Sequence, residues 1–546
     1  MNATLHLFIP WLAIVALATG GCDRAEPTRV QSDRPVHGGT LVYATDREPT
    51  CLDPHVAGDM PQVFLAQQYL DSLVSMDAEG HIRPWLATGW EVSSDGLRYT
   101  FHLRRDVRFT DGTPFNAAAL KANLDHITNP KTQSSTAGGY IRQYRATQVL
   151  DEYTAVVELA TPYAAFLEVL AQGFLGMQSP TALARSREAN CESPVGSGPF
   201  KVVRWERQSR VLLARNPDYN WAPPTARHQG PAYLDGITWT FIQEPSVRFA
   251  SLQAGEVDVI DALPPESHEA ARRNPDVELI IAQRPGNPTN GTFNIRRAPF
   301  DDVRVREAFV RSADVEGALR SVYFGEFPRA GGPLSAATPF YSPDFEHVQD
   351  YDPIRAAQLL DQAGWTERDA EGFRTRHGKR LQVTVLIGTR TPPSEQTLWE
   401  QVQATTRQVG FDLVLEQMSD TQTTARQAAW DYDIRLGYWN TNTPDVLRII
   451  FGSAFIQPAG VGGYHQNTAG YSDAGFDALM DSALATQDPQ QRRALYLRAQ
   501  QQAAAQYLQL VTYPQSTRLG VYRTAHGVRL ESSLAVTSLY DAWVTP

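Results

Sequence analysis

The residue types that could perform covalent chemistry occur in this chain without the spacing that such chemistry needs. Ser197 lies between Gly196 and Gly198, but it lacks the G-x-S-x-G frame that presents a nucleophilic serine in α/β-hydrolases. These glycines are followed by no G-x-G-x-x-G pattern and no Walker lysine, which argues against a phosphate-binding loop. The absence of C-x-x-C and H-E-x-x-H leaves zinc without a local signature. The sequence favours non-covalent binding, and a secreted hydrolase with a spatially assembled triad stays open as an alternative.

Several polar side chains are candidates for holding a solute. Asp53 and His55 follow the first predicted strand, and loops after strands form the binding crevice of many α/β proteins. Asp53 could equally cap a turn. Arg142 could pair with a ligand carboxylate, or it could lie on the surface as most arginines do.

The N-terminal 22 residues resemble an export signal. Residues 5–18 are apolar but shorter than the roughly 20 residues of a spanning helix. Small residues and Cys22 follow, which resembles the lipobox of bacterial lipoproteins, although Thr19 occupies the usual Leu position. We predict a signal peptide over 1–22, lipidation at Cys22 and a flexible tether over 23–37. The alternative is an ordinary cleaved leader that leaves Cys22 free. Asp23 resembles the inner-membrane retention signal of some Gram-negative lipoproteins.

Length, charge and cysteine content limit the class of protein. The roughly 520 residues after the leader exceed a single core and predict two or three lobes. The formal net charge is −11, so the chain lacks the excess of basic residues that is typical of nucleic-acid-binding proteins. Apart from Cys22, only Cys51 and Cys191 are present. They could pair in an oxidising compartment or stay free.

Strands and helices alternate after the tether, which indicates an α/β architecture. The strict alternation over 97–104, after Asp95-Gly96, predicts a half-buried strand that follows a turn. Asp352-Pro353 and Gly364 bracket a helix. Residues 381–387, 394–409 and 411–415 are predicted as strand, helix and strand with a parallel crossover. Other predicted elements are strands over 39–44 and 237–242, a helix between Asp314 and Gly325, and helices that begin at Pro245 and Pro489.

Motifs along most of the chain identify a family. They include Pro84-Trp85-Leu86-Ala87, Asp111-Gly112-Thr113-Pro114-Phe115, Gly196-Ser197-Gly198-Pro199-Phe200, Arg215-Asn216-Pro217-Asp218-Tyr219, Leu252-Gln253-Ala254-Gly255 and Tyr432-Asp433-Ile434. In order and type they resemble the family 5 extracellular solute-binding proteins of ABC importers, the peptide- and nickel-binding group. The resemblance covers nearly all of residues 39–546.

The resemblance implies a two-lobed α/β fold of the periplasmic-binding-protein type (type II, cluster C). Lobe I is expected at 38–288 with a return at 511–546, an extra subdomain at about 60–185, and lobe II at 289–510. The polar segment 287–294 carries Gly and Pro and is predicted as the hinge. A ligand would sit between the lobes and be enclosed when they close. The chain is then a monomer without enzymatic activity, cofactor or metal, and its partner is an ABC permease.

The resemblance also points to ligand contacts. Peptide-binding members hold the ligand's α-amino group with an Asp three residues after a Trp, but here Trp439 is followed by Asn442. An amide brings no counter-charge and forgoes a charge-assisted bond of about 1.5–3 kcal/mol, which weakens the case for free N-terminus recognition. Asp445 could supply the carboxylate, or it could cap the helix that begins at Val446. The remaining predicted contacts are Tyr464 in a glycine-rich loop, Phe293, Asn294 and Trp439 itself. Trp439 could pack on ligand side chains or on lobe II.

The combined prediction is a substrate-binding lipoprotein of an ABC importer. It captures peptides or similar small polar solutes in the periplasm, held at the inner membrane through Cys22. The alternative ligands are a metal chelate, an opine or another amino-acid conjugate. Residues 171–178 lack the arginines of chelate-binding members, which weakens the chelate alternative. A lipoprotein that senses a solute without transporting it is a further alternative.

Overall fold

The computed structural model describes residues 34–56, 58–456 and 465–545. Within these ranges the main sheets have seven, five and four strands. In spatial order, the seven-stranded sheet contains Val277–Gln283, Ser516–Tyr522, Val259–Ile260, Thr40–Thr45, Gly236–Phe241, Arg210–Arg215 and Phe200–Glu206. The five-stranded sheet contains Asp412–Met418, Gln382–Gly388, Ile434–Asn440, Gly286–Phe293 and Gln509–Val511. The four-stranded sheet contains Ala87–Val92, Arg98–Leu103, Thr154–Leu159 and Tyr144–Asp151.

Short strand pairs and helices complete these layers. The short strands are Val74–Met76 with Ile82–Pro84, Ala525–His526 with Trp543–Val544, Arg529–Leu530 with Thr537–Ser538, and the trio Glu367–Arg368, Arg374–Arg376 and Lys379–Arg380. The α-helices are Met60–Ala66, Ala117–Thr128, Thr136–Tyr140, Phe166–Leu170, Pro180–Leu183, Arg187–Glu192, Pro245–Gln253, His268–Arg273, Val303–Ser312, Val315–Tyr323, Pro353–Gln362, Pro393–Val409, Asp420–Ala428, Val446–Phe451, Ala474–Ala485 and Pro489–Ala505. Among the described residues, no helix combines the length and the apolar character needed to cross a membrane.

These sheets are divided between two lobes. The first lobe comprises the seven- and four-stranded sheets with their helices, and the second lobe comprises the five-stranded sheet with its helices. Strand Ser516–Tyr522 returns the chain to the first lobe, where it runs antiparallel to Val259–Ile260 and Val277–Gln283. Each lobe has its own apolar core: Tyr43 stacks on Trp239 in the first, while aromatic rings around Phe309 fill the second.

The helix after Asp352 and the predicted strand, helix and strand over 381–415 are confirmed. The Asp352 side chain accepts a hydrogen bond from Arg355 N at the start of helix Pro353–Gln362, as a capping residue does. Strands Gln382–Gly388 and Asp412–Met418 pair in parallel through helix Pro393–Val409. That helix ends at Gly410, whose φ of +116° lies in the left-handed region that glycine tolerates.

The glycine motif around Ser197 allows two backbone segments to pack closely. A Cβ on Gly196 would lie 1.9 Å from Tyr69 O, so only glycine allows the two backbones to approach. The Ser197 hydroxyl donates to Asp71 Oδ2 at 2.7 Å. Burial raises the pKa of Asp71 to about 6, and the hydrogen bonds from Ser197 and Trp221 oppose that rise.

The predicted hinge over 287–294 is wrong, because this segment is the buried strand Gly286–Phe293 inside the five-stranded sheet. Its polarity is satisfied within the second lobe rather than by water. Asn287 Nδ2 donates to Gln509 Oε1 at 3.1 Å, and Asn290 Nδ2 donates to Asn287 Oδ1 at 2.7 Å. A polar strand can be buried when its side chains pair with one another.

The two lobes are joined instead by two shorter crossing segments. Residues 284–285 lead from strand Val277–Gln283 into Gly286–Phe293, and residues 512–515 lead back from Gln509–Val511 into Ser516–Tyr522. The crossings lie side by side, since Arg284 N donates to Gln515 O at 2.8 Å. A paired, short connection of this kind is where a hinge rotation can be absorbed.

Cys51 and Cys191 form a disulfide, with their Cα atoms 4.6 Å apart. Leu52 N donates to Cys191 O at 2.8 Å, so the two segments also share a backbone hydrogen bond. The alternative of two free thiols is excluded in this structure. Disulfides persist in oxidising compartments, which agrees with export.

Candidate functional site

The candidate site is the seam where residues 439–445, called the seam segment, contact the first lobe. The segment follows strand Ile434–Asn440 of the second lobe. Tyr140 Oη donates to Asn440 O at 2.6 Å, and Gln172 Nε2 donates to Thr441 Oγ1 at 3.1 Å. Tyr140 ends helix Thr136–Tyr140, and Gln172 precedes the helical turn Gly173–Leu175. Polar contacts therefore join the two lobes directly.

Trp439 lies at this seam. Its indole N–H donates to Tyr140 Oη at 3.1 Å, and the two rings meet edge to face with centroids 6.4 Å apart. Trp439 packs against apolar clusters of both lobes. Trp439 thus contacts both lobes at the seam.

Asn442 is a tie between the lobes and is 1% exposed. Its Nδ2 donates to Glu168 O at 3.2 Å and to Ser533 Oγ at 2.9 Å, while its Oδ1 accepts from Leu534 N at 3.0 Å. These partners satisfy both ends of the amide in the present conformation. A ligand group could reach Asn442 only by replacing first-lobe partners.

Asp445 is neutralised by Arg448, which is not among the predicted site residues. Arg448 donates to both carboxylate oxygens, at 2.9 and 2.6 Å, and Asp445 is 0% exposed. Asp445 precedes helix Val446–Phe451, but its side chain makes no capping bond. The capping alternative is therefore not realised, and the ion pair occupies the carboxylate. The Asp–Arg spacing of three residues at a helix start was the sequence signal that could have shown this.

Asp53 and His55 belong to a buried network in the first lobe. Asp53 Oδ1 accepts from His55 N at 2.9 Å and from Gln178 Nε2 at 2.6 Å, and Oδ2 accepts from Asn190 Nδ2 at 2.7 Å. Burial acts to raise the pKa of Asp53, but hydrogen bonds and nearby imidazoles outweigh it and lower the pKa to about 2. Burial lowers the pKa of His55 to about 4. The turn-capping alternative for Asp53 is the one that the structure realises.

The remaining candidates divide between the seam and the interior. Phe293 is buried in the core of the second lobe, with Phe300 at a centroid distance of 4.5 Å. Asn294 Nδ2 donates to the carbonyls of Trp430 and Tyr432. These side chains have packing and anchoring roles because protein atoms surround them.

Arg142 reaches across the seam. Its Nη1 donates to Ala454 O at 3.2 Å, and its guanidinium lies 4.8 Å from the Phe455 ring centroid. The structure thus brings Arg142, Trp439, Asn442 and Asp445 to the seam and keeps the other described candidates in the interiors of their lobes. Tyr464 and Cys22 lie outside the described residues.

One cluster has the donor set of a metal site. Asp77, Glu79 and His81 lie in the turn between strands Val74–Met76 and Ile82–Pro84, and their ligand atoms come within 4.8 Å of one another. However, Asp77 already accepts from Arg83 Nε at 2.7 Å and from His81 N at 2.8 Å. The turn's own hydrogen bonds account for this arrangement.

An ion cluster links the lobes beside the crossings. His268 and Arg272 lie in helix His268–Arg273 of the first lobe, and Glu326 follows helix Val315–Tyr323 of the second. Glu326 accepts from His268 Nδ1 at 2.9 Å and from both Arg272 terminal nitrogens at 2.6 Å. The Arg272 hydrogen bonds, reinforced by His268, lower the pKa of Glu326 to about 2.

Glu326→Gln is expected to lower the free energy of unfolding by about 1 kcal/mol at pH 7, the scale of a partly exposed bidentate pair. Because folding depresses the carboxyl pKa, the contribution is present above the ordinary value of 4.5 and is lost as pH falls toward 2. Urea unfolding of wild type and variant at pH 7 and pH 3 should show the difference shrinking. Glu256→Gln, at an exposed position, is the control. An equal difference at both pH values would contradict the assignment.

Comparisons with known proteins agree with this architecture. The family described as bacterial extracellular solute-binding proteins, family 5 Middle, matches residues 81–453. The glutathione-binding protein GsiB of Salmonella choleraesuis (strain SC-B67) is 30% identical over 505 residues, covering 90% of each chain. The oligopeptide-binding protein AppA from Bacillus subtilis, solved with a nonapeptide, has a TM-score of 0.81 at 20% identity, covering 94% of this chain and 100% of that chain.

NikA from Brucella suis, solved with Fe(III)-EDTA, has a TM-score of 0.80 at 23% identity, covering 93% of this chain and 100% of that chain. These two structures share the two-lobed α/β fold with the present chain. The sequence match extends over most of both lobes. The chain therefore belongs to the family 5 bacterial extracellular solute-binding proteins.

Proposed function

We propose that this chain is the solute-binding subunit of an ABC importer and that it encloses a peptide or a similar small polar solute, unaltered, between its lobes. One observation at the seam carries the proposal. Gln172 is 0% exposed, yet its Oε1 accepts no hydrogen bond from any described residue, and the nearby Asn440 Nδ2 donates none. Buried polar groups are normally paired, which makes these two atoms candidates for contact with an enclosed solute. A free acceptor and a free donor complement the N–H and C=O of an amide.

The similarity to GsiB supports this class of ligand, since that relative is named for glutathione, which contains peptide bonds. The chelate alternative draws on the fold shared with NikA, and that likeness extends to the fold only. The hydrolase alternative has no support from Ser197, whose hydroxyl is bound to a buried Asp71. We therefore place the chain among non-enzymatic carriers.

The test is a thermal-shift and small-angle-scattering screen with glutathione, a nonapeptide and Fe(III)-EDTA. A ligand at 100 times its Kd stabilises the bound form by about 2.7 kcal/mol through mass action. Trp439→Ala should weaken binding at least about tenfold, as loss of an aromatic contact in a desolvated site does. Trp543→Ala, in a strand pair of the first lobe away from the seam segment, is the control. If no solute changes the Tm or the compactness of the wild type, the proposal fails. Hydrolysis of a peptide by the wild type would favour the hydrolase alternative.

We expect binding of peptide ligands to be insensitive to N-acetylation. The position three after Trp439 holds Asn442, and the Asp445 carboxylate is already occupied by Arg448. No carboxylate of the seam segment is therefore left to pair with an ammonium group. Calorimetry with a free and an N-acetylated peptide should give Kd values within about threefold, because no charge-assisted bond is lost. A hundredfold loss on acetylation would show that an acid elsewhere binds the amine.

We further propose that the protein is a monomer anchored outside the cytoplasm. Its lobes would comprise residues 38–288 plus 511–546 and residues 289–510, with their boundaries moved to the crossings at 284–285 and 512–515. The disulfide supports an oxidising compartment. The proposals of lipidation at Cys22 and of retention at the inner membrane are supported only by the sequence of the N-terminal leader and of Asp23. Palmitate labelling that is lost in Cys22→Ala supports the anchor, while unlabelled wild type rules it out.

A further inference from the structure

Arg284, on the first crossing segment, is a mostly buried cation that forms no ion pair with any described residue. The residue is 8% exposed. Its Nε donates to Thr517 Oγ1 at 2.9 Å, and its guanidinium lies 4.7 Å from the centroid of the Phe64 ring. Among the described residues, neither terminal nitrogen has a hydrogen-bond acceptor, and no carboxylate lies within the 4.0 Å of an ion pair. Its four terminal N–H donors therefore have no acceptor in the part of the chain that the structure describes.

The guanidinium lies where the lobes meet the seam segment. Thr517 and Phe64 belong to the first lobe, whereas Ser335 Oγ of the second lobe donates to Arg284 O at 2.8 Å. The neighbouring Pro285 O accepts from Thr441 N of the seam segment at 3.1 Å. Burial lowers the pKa of Arg284, and Asp261 and Tyr438 oppose this without pairing with it directly. Tyr438 immediately precedes Trp439, which places the cation at the hinge end of the seam.

The side chain is mostly buried, but its terminal nitrogens keep some contact with solvent, so they are open to an acceptor that enters the seam. Asp261 has the largest opposing electrostatic effect on Arg284, but it forms no ion pair with it within 4.0 Å, and its Oδ1 accepts from Ala262 N at 2.6 Å. Arginine presents a planar fork that matches two oxygens of a carboxylate. An acceptor supplied by the enclosed solute would satisfy these donors.

We propose that Arg284 binds a carboxylate of the solute at the hinge end of the seam and determines specificity for it. The proposal rests on the proposed function, because the solute must be enclosed between the lobes. Gln172 and Asn440 would bind an amide group of the solute, and Arg284 would bind its carboxylate. The ligand class is therefore an amide-containing carboxylic acid. Its amine, when present, has no anchor on the seam segment.

The first experiment probes the arginine without knowledge of the natural solute. Tm is measured for wild type, Arg284→Gln and the exposed control Arg493→Gln. Each protein is titrated with sodium acetate or acetamide up to about 100 mM at constant ionic strength. At such concentrations even weak binding raises Tm through mass action. Acetate should raise the Tm of wild type and Arg493→Gln, acetamide should not, and Arg284→Gln should lose the acetate response. Equal responses of wild type and Arg284→Gln, or none in wild type, would overturn the proposal. Stronger stabilisation by inorganic phosphate than by acetate would overturn the carboxylate class.

The second experiment uses glutathione and its diamide. Amidation should weaken binding to wild type by about 10- to 100-fold, the worth of a charge-assisted bond, and binding to Arg284→Gln by less than about threefold. Unliganded Arg284→Gln should keep its Tm, because an unpaired buried charge is removed. A lower Tm with unchanged discrimination would mean a structural role and would refute the proposal. Failure of glutathione to bind while acetate acts through Arg284 refutes the proposed solute but not the arginine site.

Discussion

Arg448→Met is expected to lower the free energy of unfolding by about 3–5 kcal/mol, the cost of breaking a buried ion pair from one side. Both Asp445 oxygens depend on Arg448, and the pair lies beneath the seam. Burial acts to lower the pKa of Arg448, but the Asp445 carboxylate outweighs burial and raises it above the ordinary value. Methionine retains most of the apolar stem that packs beside Phe455, so the loss is chiefly electrostatic. Guanidinium unfolding monitored by tryptophan fluorescence measures the change.

Two comparisons separate the unpaired charge from lost packing. The double variant Asp445→Asn/Arg448→Met removes both charges and should recover most of the stability, because a buried pair contributes little net over neutral partners. Arg320→Met breaks an exposed pair with Glu316 and should cost less than about 1 kcal/mol. If Arg448→Met costs no more than Arg320→Met, then water reaches Asp445 and the seam is not desolvated.

What the sequence could predict of the fold depended on local signals. The helix bracketed by Asp352 and Gly364 was predictable because capping and left-handed termination involve residues within one turn of the ends. Strand Gly286–Phe293 was mistaken for a hinge because its Asn and Thr residues are typical of loops. Their partner Gln509 lies more than 200 residues further along the chain, and only the folded sheet brings it close.

The same distinction applies to the candidate site. Motif resemblance located Trp439 and Asn442, but it could not show that Ser533 and Leu534 bind the Asn442 amide. The Asp445–Arg448 pair was within reach of a local argument, since the two residues are three apart. Arg284 carried no sequence signal at all. Its significance is that acceptors are absent around it among the described residues, and absence of a partner is visible only in three dimensions.

Removal of the disulfide by Cys51→Ala/Cys191→Ala is the second large effect expected. The bond spans 140 residues, and the loop-entropy relation gives about 5 kcal/mol of stabilisation for a loop of that length, within the observed range of about 2–5 for native bonds. The bond also fixes the segments that carry Asp53 and Asn190, whose side chains are hydrogen-bonded at 2.7 Å. Its loss should loosen this network as well as enlarge the unfolded ensemble.

Both proteins are made to begin at residue 23, so that Cys22 adds no thiol. In denaturant unfolding, the double variant and the reduced wild type should share one midpoint, below that of the oxidised wild type. The seam is built from other residues, including Tyr140, Gln172 and Trp439, so the affinity for a solute that the wild type binds should change by less than about threefold. A midpoint equal to that of oxidised wild type would mean that the rest of the first lobe already restrains the loop. A large loss of affinity would mean instead that the Asp53 network positions the seam.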